Sequence, residues 1–195
     1  MFRVDKRSAL IVVHVQKDFC PGGALPVPEG DKVVPVLNDY IALFTRAGAA
    51  IYATRDWHPS NHISFRSRGG PWPPHCVQRT DGAEFHPDLK LPEGTPVISG
   101  ATDPDKEAYS GFEGTNLERL LKNRGINRLF IGGLATDYCV KHTVLDGLKA
   151  GFEVVLLEDA SRGINVKPKD SEEAVKEMTE GGARKARISD FINNS

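Results

Sequence analysis

Short, uniformly apolar runs alternate along the chain with longer stretches of helical periodicity, and Gly and Pro punctuate the joins. Ala9 to Val15 is apolar at nearly every position and predicts a buried strand. Asp31 to Ala47 predicts a helix, with Pro35 tolerable because it falls near the first turn. Gly48 ends that helix, and Ala49 to Thr54 predicts a second strand; Thr95 to Ser99 predicts a third. Thr115-Asn-Leu-Glu118 has the form of a capping box opening a helix that stops at Gly125. Leu129 to Ile131 is the fourth expected strand, Tyr138 to Ala150 the next helix, and Glu153 to Leu157 the fifth strand. Asp170-Ser-Glu-Glu173 offers another capping signature for a helix reaching about Glu180, and Ala183 to Ser189 predicts a last strand.

Strands that are apolar throughout, rather than alternating, belong to a sheet covered on both faces. Three junctions repeat the order helix, Gly (48, 125 or 151), strand. The expected fold class is therefore α/β, a mostly parallel central sheet sandwiched by helices, with residues 1–195 forming a single domain. In such folds chemistry collects outside the carboxyl ends of the strands. Those ends are His14, Arg55-Asp56, Gly100, the turn before Cys139, and Glu158-Asp159.

Charge narrows the partners: the net charge is −1 and no Lys/Arg cluster stands out, so neither a nucleic acid nor a membrane partner is expected. Three widely spaced cysteines, an odd number without a CxxC pair, argue against a disulfide framework and for a reducing compartment. The amino terminus carries no apolar secretion signal and no segment reaches membrane-spanning length, so a cytoplasmic protein is expected. Monomer and homo-oligomer are both compatible with the sequence.

Two features carry chemistry. Cys139 follows an apolar strand and Gly132-Gly133, at the opening of a helical pattern. Free N–H groups and the helix dipole there would lower the thiol pKa and hold an oxyanion, which makes Cys139 a candidate nucleophile; the alternative is a small buried hydrophobe. The second is Arg55 to Pro92, a long loop rich in Pro, Gly, His and Trp. It gathers Asp56, His58, His62 and His75, a carboxylate with three of the six histidines. Mixed His/carboxylate sets suit one divalent transition metal, Zn first, with Fe or Mn as alternatives. His86 and His142 are read as ordinary residues.

Together these motifs resemble the nicotinamidases (pyrazinamidases) of the isochorismatase-like hydrolase superfamily. The landmarks are Val15-Gln-Lys-Asp-Phe-Cys-Pro-Gly-Gly-Ala-Leu25, Thr54-Arg-Asp-Trp-His-Pro-Ser-Asn-His-Ile-Ser-Phe65, Gly70-Pro-Trp-Pro-Pro-His-Cys-Val77, Gly82-Ala-Glu-Phe-His-Pro87, Glu107-Ala-Tyr-Ser-Gly-Phe-Glu-Gly-Thr115 and Gly133-Leu-Ala-Thr-Asp-Tyr-Cys139. The resemblance implies a three-layer α/β fold and hydrolysis of nicotinamide to nicotinate and ammonia, in NAD salvage. By position it makes Cys139 the nucleophile and Asp56, His58 and His75 metal ligands, with His62 a fourth ligand or close neighbour. It places Phe19 and Trp72, with Tyr109 and Leu134, around a small aromatic amide. It also implies a cis Leu134-Ala135 bond and an oxyanion hole from the N–H groups of Ala135 and Cys139.

Two positions depart from the family. Its catalytic Asp, at the end of the first strand, is His14 here; its catalytic Lys, after the third strand, is Gly100. Asp18 and Lys106 match other family positions and do not replace them. Loss of the Asp removes a general base, worth roughly 10²–10⁴ in rate. His14 can form a Cys-His dyad or reach the metal. The expectations are a weakened nicotinamidase, or a re-purposed scaffold that binds nicotinamide-like ligands or runs a Cys-His esterase-type reaction.

Overall fold

Six strands form one sheet in a computed structural model that describes residues 1–191. They are β1 (Ser8–Val13), β2 (Ala50–Asp56), β3 (Val97–Gly100), β4 (Arg128–Leu134), β5 (Glu153–Arg162) and β6 (Arg184–Ala186). Their order is β3-β2-β1-β4-β5-β6 and every pairing is parallel. The helices are α1 (Val33–Arg46), α2 (Leu117–Asn123), α3 (Lys141–Lys149) and α4 (Asp170–Glu180). Successive side chains of β1 take opposite faces: Leu10 and Val12 pack with Leu37 and Phe44 of α1, while Ala9, Ile11 and Val13 pack with Leu117, Leu121, Val144 and Met178 of the other three helices. Both faces are therefore dry, which accounts for apolar runs that do not alternate. Each fully buried Leu or Ile contributes about 1.5–3 kcal/mol to holding the layers together.

The elements differ from the sequence expectation mainly at their ends. Residues 30–32 form a 3₁₀ turn before α1, which puts Pro35 at its third residue, where no intrahelical N–H bond is lost. The last strand is confined to Arg184–Ala186. Neither capping box closes as expected. Thr115 Oγ1 accepts from the Leu117 N–H while Asn116 occupies the cap position, and Asp170 lies inside α4, its carboxylate accepting from the Lys167 N–H. Tyr138 to Ala150 is not one continuous α-helix: Thr136–Val140 is a single π-type turn, and α3 starts at Lys141. Such wide turns commonly mark functional sites, and this one carries Cys139.

β1, β2, β3 and β4 all end on one edge of the sheet, so His14, Asp56, Gly100 and the Cys139 turn share one locality. Gly133 lies in the left-handed half of backbone space (φ 132°), and a Cβ there would strike the Val13 carbonyl. This close approach brings the start of the Cys139 turn against the end of β1.

Candidate active site

Cys139 is 6 % exposed and follows a cis Leu134-Ala135 peptide bond. The Ala135 carbonyl accepts from the Tyr138 and Val140 N–H groups (3.1 and 3.0 Å), which winds the turn tightly around the sulfur-bearing residue. Thr143 Oγ1 donates to the Cys139 carbonyl (2.6 Å) and accepts from the Gly111 N–H (3.0 Å). Asp137, in the same turn, accepts from the Ile164 and Asn165 N–H groups at 2.9 and 2.7 Å. The loop after β5 is thereby stapled to the nucleophile turn.

His14 directly follows β1 with a left-handed backbone (φ 48°), strain that a folded protein retains where neighbouring structure holds it. Its ring lies nearly parallel to Phe19, with centroids 6.3 Å apart. One ligating atom from each of His14, Asp56 and Cys139 falls within 4.8 Å of the others, and His14 Nδ1 is 3.6 Å from Asp56 Oδ1. All three side chains are buried. The imidazole of the candidate dyad is therefore beside the sulfur.

The electrostatics overturn one expectation. Burial pushes the Cys139 thiol well above its ordinary pKa, and the carboxylates of Asp56, Glu107 and Asp137 push the same way. The helix-end effect does not produce a low-pKa thiol, because desolvation of a fully buried sulfur outweighs a few backbone dipoles. Burial, helped by the charge of His75, lowers His14 to about 3, so its imidazole is neutral and weakly basic at neutral pH. Burial also raises the Asp56 carboxyl, with Glu107 adding to the effect.

Asp56, His58 and His75 form a second group whose ligating atoms lie within 4.8 Å of one another. His58 Nδ1 bonds the His75 carbonyl (2.9 Å) and His75 Nδ1 bonds the Pro73 carbonyl (2.8 Å). A carbonyl only accepts, so both Nδ1 atoms carry the proton and both Nε2 lone pairs stay free, as metal ligation requires. The donor set thus fits a divalent metal. His62 does not join it. Its Nδ1 accepts from Ser64 (2.7 Å to Oγ), its Nε2 donates to the Lys106 carbonyl (3.0 Å), and its ring stands 4.4 Å from that of His58. It is a close neighbour with both nitrogens engaged.

The aromatic residues fall into two places. Phe19 packs between His14 and His75. Trp72 donates its indole N–H to the Tyr109 hydroxyl (3.2 Å) and packs edge-on against Tyr138. His142 is half-buried and stacks on Tyr109 rather than facing water. Lys106 extends into solvent beside Asp103. A Cβ on Gly100 would meet only the Arg55 carbonyl, at 3.8 Å, and a cavity of about 400 Å³ adjoins it, lined in part by Ala101, Lys106 and Glu107.

Gln16 is a positioning residue that sequence reasoning missed. Its amide donates to the carbonyls of Asp56 (2.8 Å) and Ala83 (2.9 Å), and its carbonyl accepts from the Asp56 N–H (2.9 Å). A fully buried amide just past β1 thereby clamps the backbone of Asp56 at the end of β2. Asp18 is a second: it accepts from the Cys76 and Ala24 N–H groups and fixes the loop next to His75. The available signal was a polar residue one or a few places past an apolar strand.

Burial of neutral histidines predicts acid sensitivity of the metal-free protein. His14 and His58 have folded pKa values of about 3, below the ordinary 6.5, and His75 is lowered too. On acidification the unfolded chain takes up these protons first. Stability is thus fully present above pH 6.5 and falls as the pH drops toward 3. Asp56, raised by burial, works in the opposite sense and offsets part of this loss. The net loss is roughly 1.4–2.8 kcal/mol per pH unit, one to two protons. Urea unfolding at pH 7.5 and 5.5 measures it; equal midpoints would show that these histidines protonate freely in the native state.

Comparison with known proteins agrees with this geometry. The isochorismatase domain is matched over residues 8–189. The nicotinamidase of Escherichia coli K12 is 41% identical over 204 residues, covering 94% of this chain and 96% of that protein. The crystal structure of Pyrococcus horikoshii pyrazinamidase in complex with zinc is 60% identical, covers 93% of this chain and 99% of its own, and superposes with a TM-score of 0.90. That of L. infantum PnC1 in complex with nicotinate is 34% identical, with 98% of each chain covered and a TM-score of 0.91. With its parallel sheet, its cysteine turn and its Asp/His/His group, this chain belongs to the nicotinamidases of the isochorismatase-like hydrolase superfamily.

Proposed function

We propose that the chain hydrolyses nicotinamide to nicotinate and ammonia through a thioester on Cys139, at a rate held down by the residues at positions 14 and 100. The observation carrying this reading is the convergence of the Cys139 sulfur, the His14 imidazole and the Asp56 carboxylate within 4.8 Å at the carboxyl edge of the sheet. The relatives support the substrate: one is a nicotinamidase, and another holds nicotinate.

In this mechanism neutral His14 takes the thiol proton, and the sulfur attacks the carboxamide carbon. The N–H groups of Ala135 and Cys139 receive the oxyanion. Imidazolium then returns its proton to the departing ammonia, and water cleaves the thioester to the acid. Phe19, Trp72 and Tyr109 flank the aromatic ring, with Leu134 behind it. Asp56, His58 and His75 would hold a divalent metal, zinc by analogy with the Pyrococcus structure. When bound, that ion supplies a Lewis-acid anchor for a ring nitrogen and ordered water. A role in nicotinamide salvage for NAD follows from the substrate, and a cytoplasmic setting fits three unpaired cysteines.

The slow step is the proton transfer. A raised thiol and an imidazole lowered to about 3 make the thiolate–imidazolium pair costly to form. Amide cleavage depends on forming this pair, because the departing ammonia must take the imidazolium's proton as it leaves. An aryl ester of nicotinate needs no such proton, so its kcat/KM is expected to exceed that for nicotinamide by about 10²-fold or more, the share that general acid help supplies. The direct test is the release of nicotinate and ammonia in equal amounts from nicotinamide by the folded protein carrying one equivalent of metal, with an acyl mass trapped on Cys139 at acid pH. Cleavage of neither amide nor ester would overturn the reading.

The weak basicity of His14 favours one alternative, a scaffold that binds nicotinamide-like ligands without turning them over. Calorimetry showing binding with no ammonia released would establish it.

A further inference from the structure

We infer that His14, Asp56 and Cys139 form a second metal site, distinct from the Asp56/His58/His75 group, which takes a thiophilic divalent ion and blocks the nucleophilic sulfur when loaded. The blocking role rests on Cys139 being the nucleophile; the binding of the ion does not.

Three observations carry the site. The ligating atoms of the three residues already lie within 4.8 Å of one another. In a tetrahedral zinc site with ordinary Zn–S, Zn–N and Zn–O lengths they stand about 3.4–3.6 Å apart, so closure needs a shift of roughly 1 Å. Second, His14 Nδ1 and Asp56 Oδ1 are buried, 3.6 Å apart, and neither has a hydrogen-bond partner among the described residues. Two unpaired polar atoms facing each other in a dry interior are costly, and an ion between them satisfies both. Third, the donors are chemically matched. A thiolate and an imidazole with one carboxylate oxygen select Zn²⁺ or its softer analogues over Mg²⁺ or Ca²⁺.

The two groups meet at Asp56. Its Oδ1 faces His14, and its carboxylate also belongs to the set with His58 and His75. A carboxylate offers two oxygens and can bridge two ions, as in two-metal hydrolases. Gln16 holds the Asp56 backbone in place for both. Loading breaks the Cys139 S–H bond, forms a sulfur–metal bond and releases the proton to solvent. While the ion is bound, the sulfur lone pair is engaged and cannot attack a carboxamide. The site follows from the residue at position 14: without an imidazole nitrogen there, this nitrogen–oxygen–sulfur set does not exist.

The test uses the metal-free protein titrated with Co²⁺, whose thiolate complexes show a sulfur-to-metal charge-transfer band in the near ultraviolet. The expected result is two ions per chain, with the band present at saturation. His58→Ala keeps the band. His14→Ala weakens binding at the sulfur-containing site about 10-fold or more, a loss of at least ~1.4 kcal/mol, and Cys139→Ser abolishes the band while retaining one ion. Circular dichroism confirms that each variant is folded. One ion per chain with no band in the unsubstituted protein would overturn the site, as would a band of unchanged affinity in His14→Ala. Zn²⁺ supplies the functional arm: nicotinamide or ester hydrolysis falls as the second equivalent binds and recovers on mild chelation. A band without any hydrolysis leaves the metal site standing and removes the proposed reaction; hydrolysis without a band does the reverse.

Discussion

Cys139→Ala is expected to bring nicotinamide and ester hydrolysis to the uncatalysed background. Measured against the unsubstituted protein carrying one equivalent of metal, the loss is about 10³-fold or more, because nucleophile and base act as one unit. The other two thiols belong to different segments. Cys20 and Cys76 are buried and lie on the loops beside the sheet edge rather than on the turn that follows β4. Ligand binding should survive, since Phe19, Trp72 and the Asp56/His58/His75 group are untouched. Ammonia release gives the rate, and calorimetry with nicotinamide gives the affinity. Unchanged hydrolysis in the alanine variant would remove the sulfur from the mechanism and leave a water-based reaction.

The opposite effect is expected of the pair His14→Asp with Gly100→Lys: a gain in nicotinamide kcat/KM of about 10²–10⁴, the range for general acid–base help. Both changes fit the backbone. The left-handed conformation at position 14 (φ 48°) is one that Asp adopts more readily than most residues. Position 100 adjoins the 400 Å³ cavity, and a Cβ there meets only the Arg55 carbonyl at ordinary contact distance. The two changes should not add. His14→Asp alone places a second carboxylate beside Asp56, which holds the thiol proton more tightly and favours shared protons over ionised groups. Gly100→Lys supplies the cation that allows the carboxylate and the sulfur to carry charge together. The single variants are therefore expected to gain little, and the double variant much more than their product. The ester-to-amide ratio should narrow at the same time, because the amide gains more from a better base than an ester whose leaving group needs no proton. A double variant that folds and binds nicotinamide yet gains nothing would point to a different small amide or carbamoyl substrate.

Much of this was visible in the order of residues, for a physical reason that is local. An apolar run must be buried wherever it lies, and a parallel sheet covered on both sides is the arrangement that buries several such runs joined by helices. That is why β1, β2, β4 and β5 could be placed from pattern alone, although β4 and β5 run well past their expected ends, to Leu134 and Arg162. The clustering of Asp56, His58 and His75 around one strand end likewise follows from chain adjacency, as does the position of Cys139 just past β4.

What adjacency cannot supply is the environment of a side chain. A helix start argues for a low-pKa thiol, but burial and the carboxylates of Asp56 and Glu107, with Asp137 of the same turn, raise it, and Asp56 and Glu107 meet the sulfur only in the folded chain. His62 belongs to the same loop motif as the other histidines, yet Ser64 and the distant Lys106 carbonyl consume both its nitrogens. The Gln16 clamp on Asp56, the open space at Gly100 and the unpaired His14–Asp56 contact all join residues forty or more positions apart or lie between separate segments. Sequence by itself determined which chemical groups the chain owns and at which sheet edge they gather. Only tertiary structure decided which of those groups are dry, which are already bonded, and which nitrogen faces which oxygen, because desolvation and contact are properties of the packed interior.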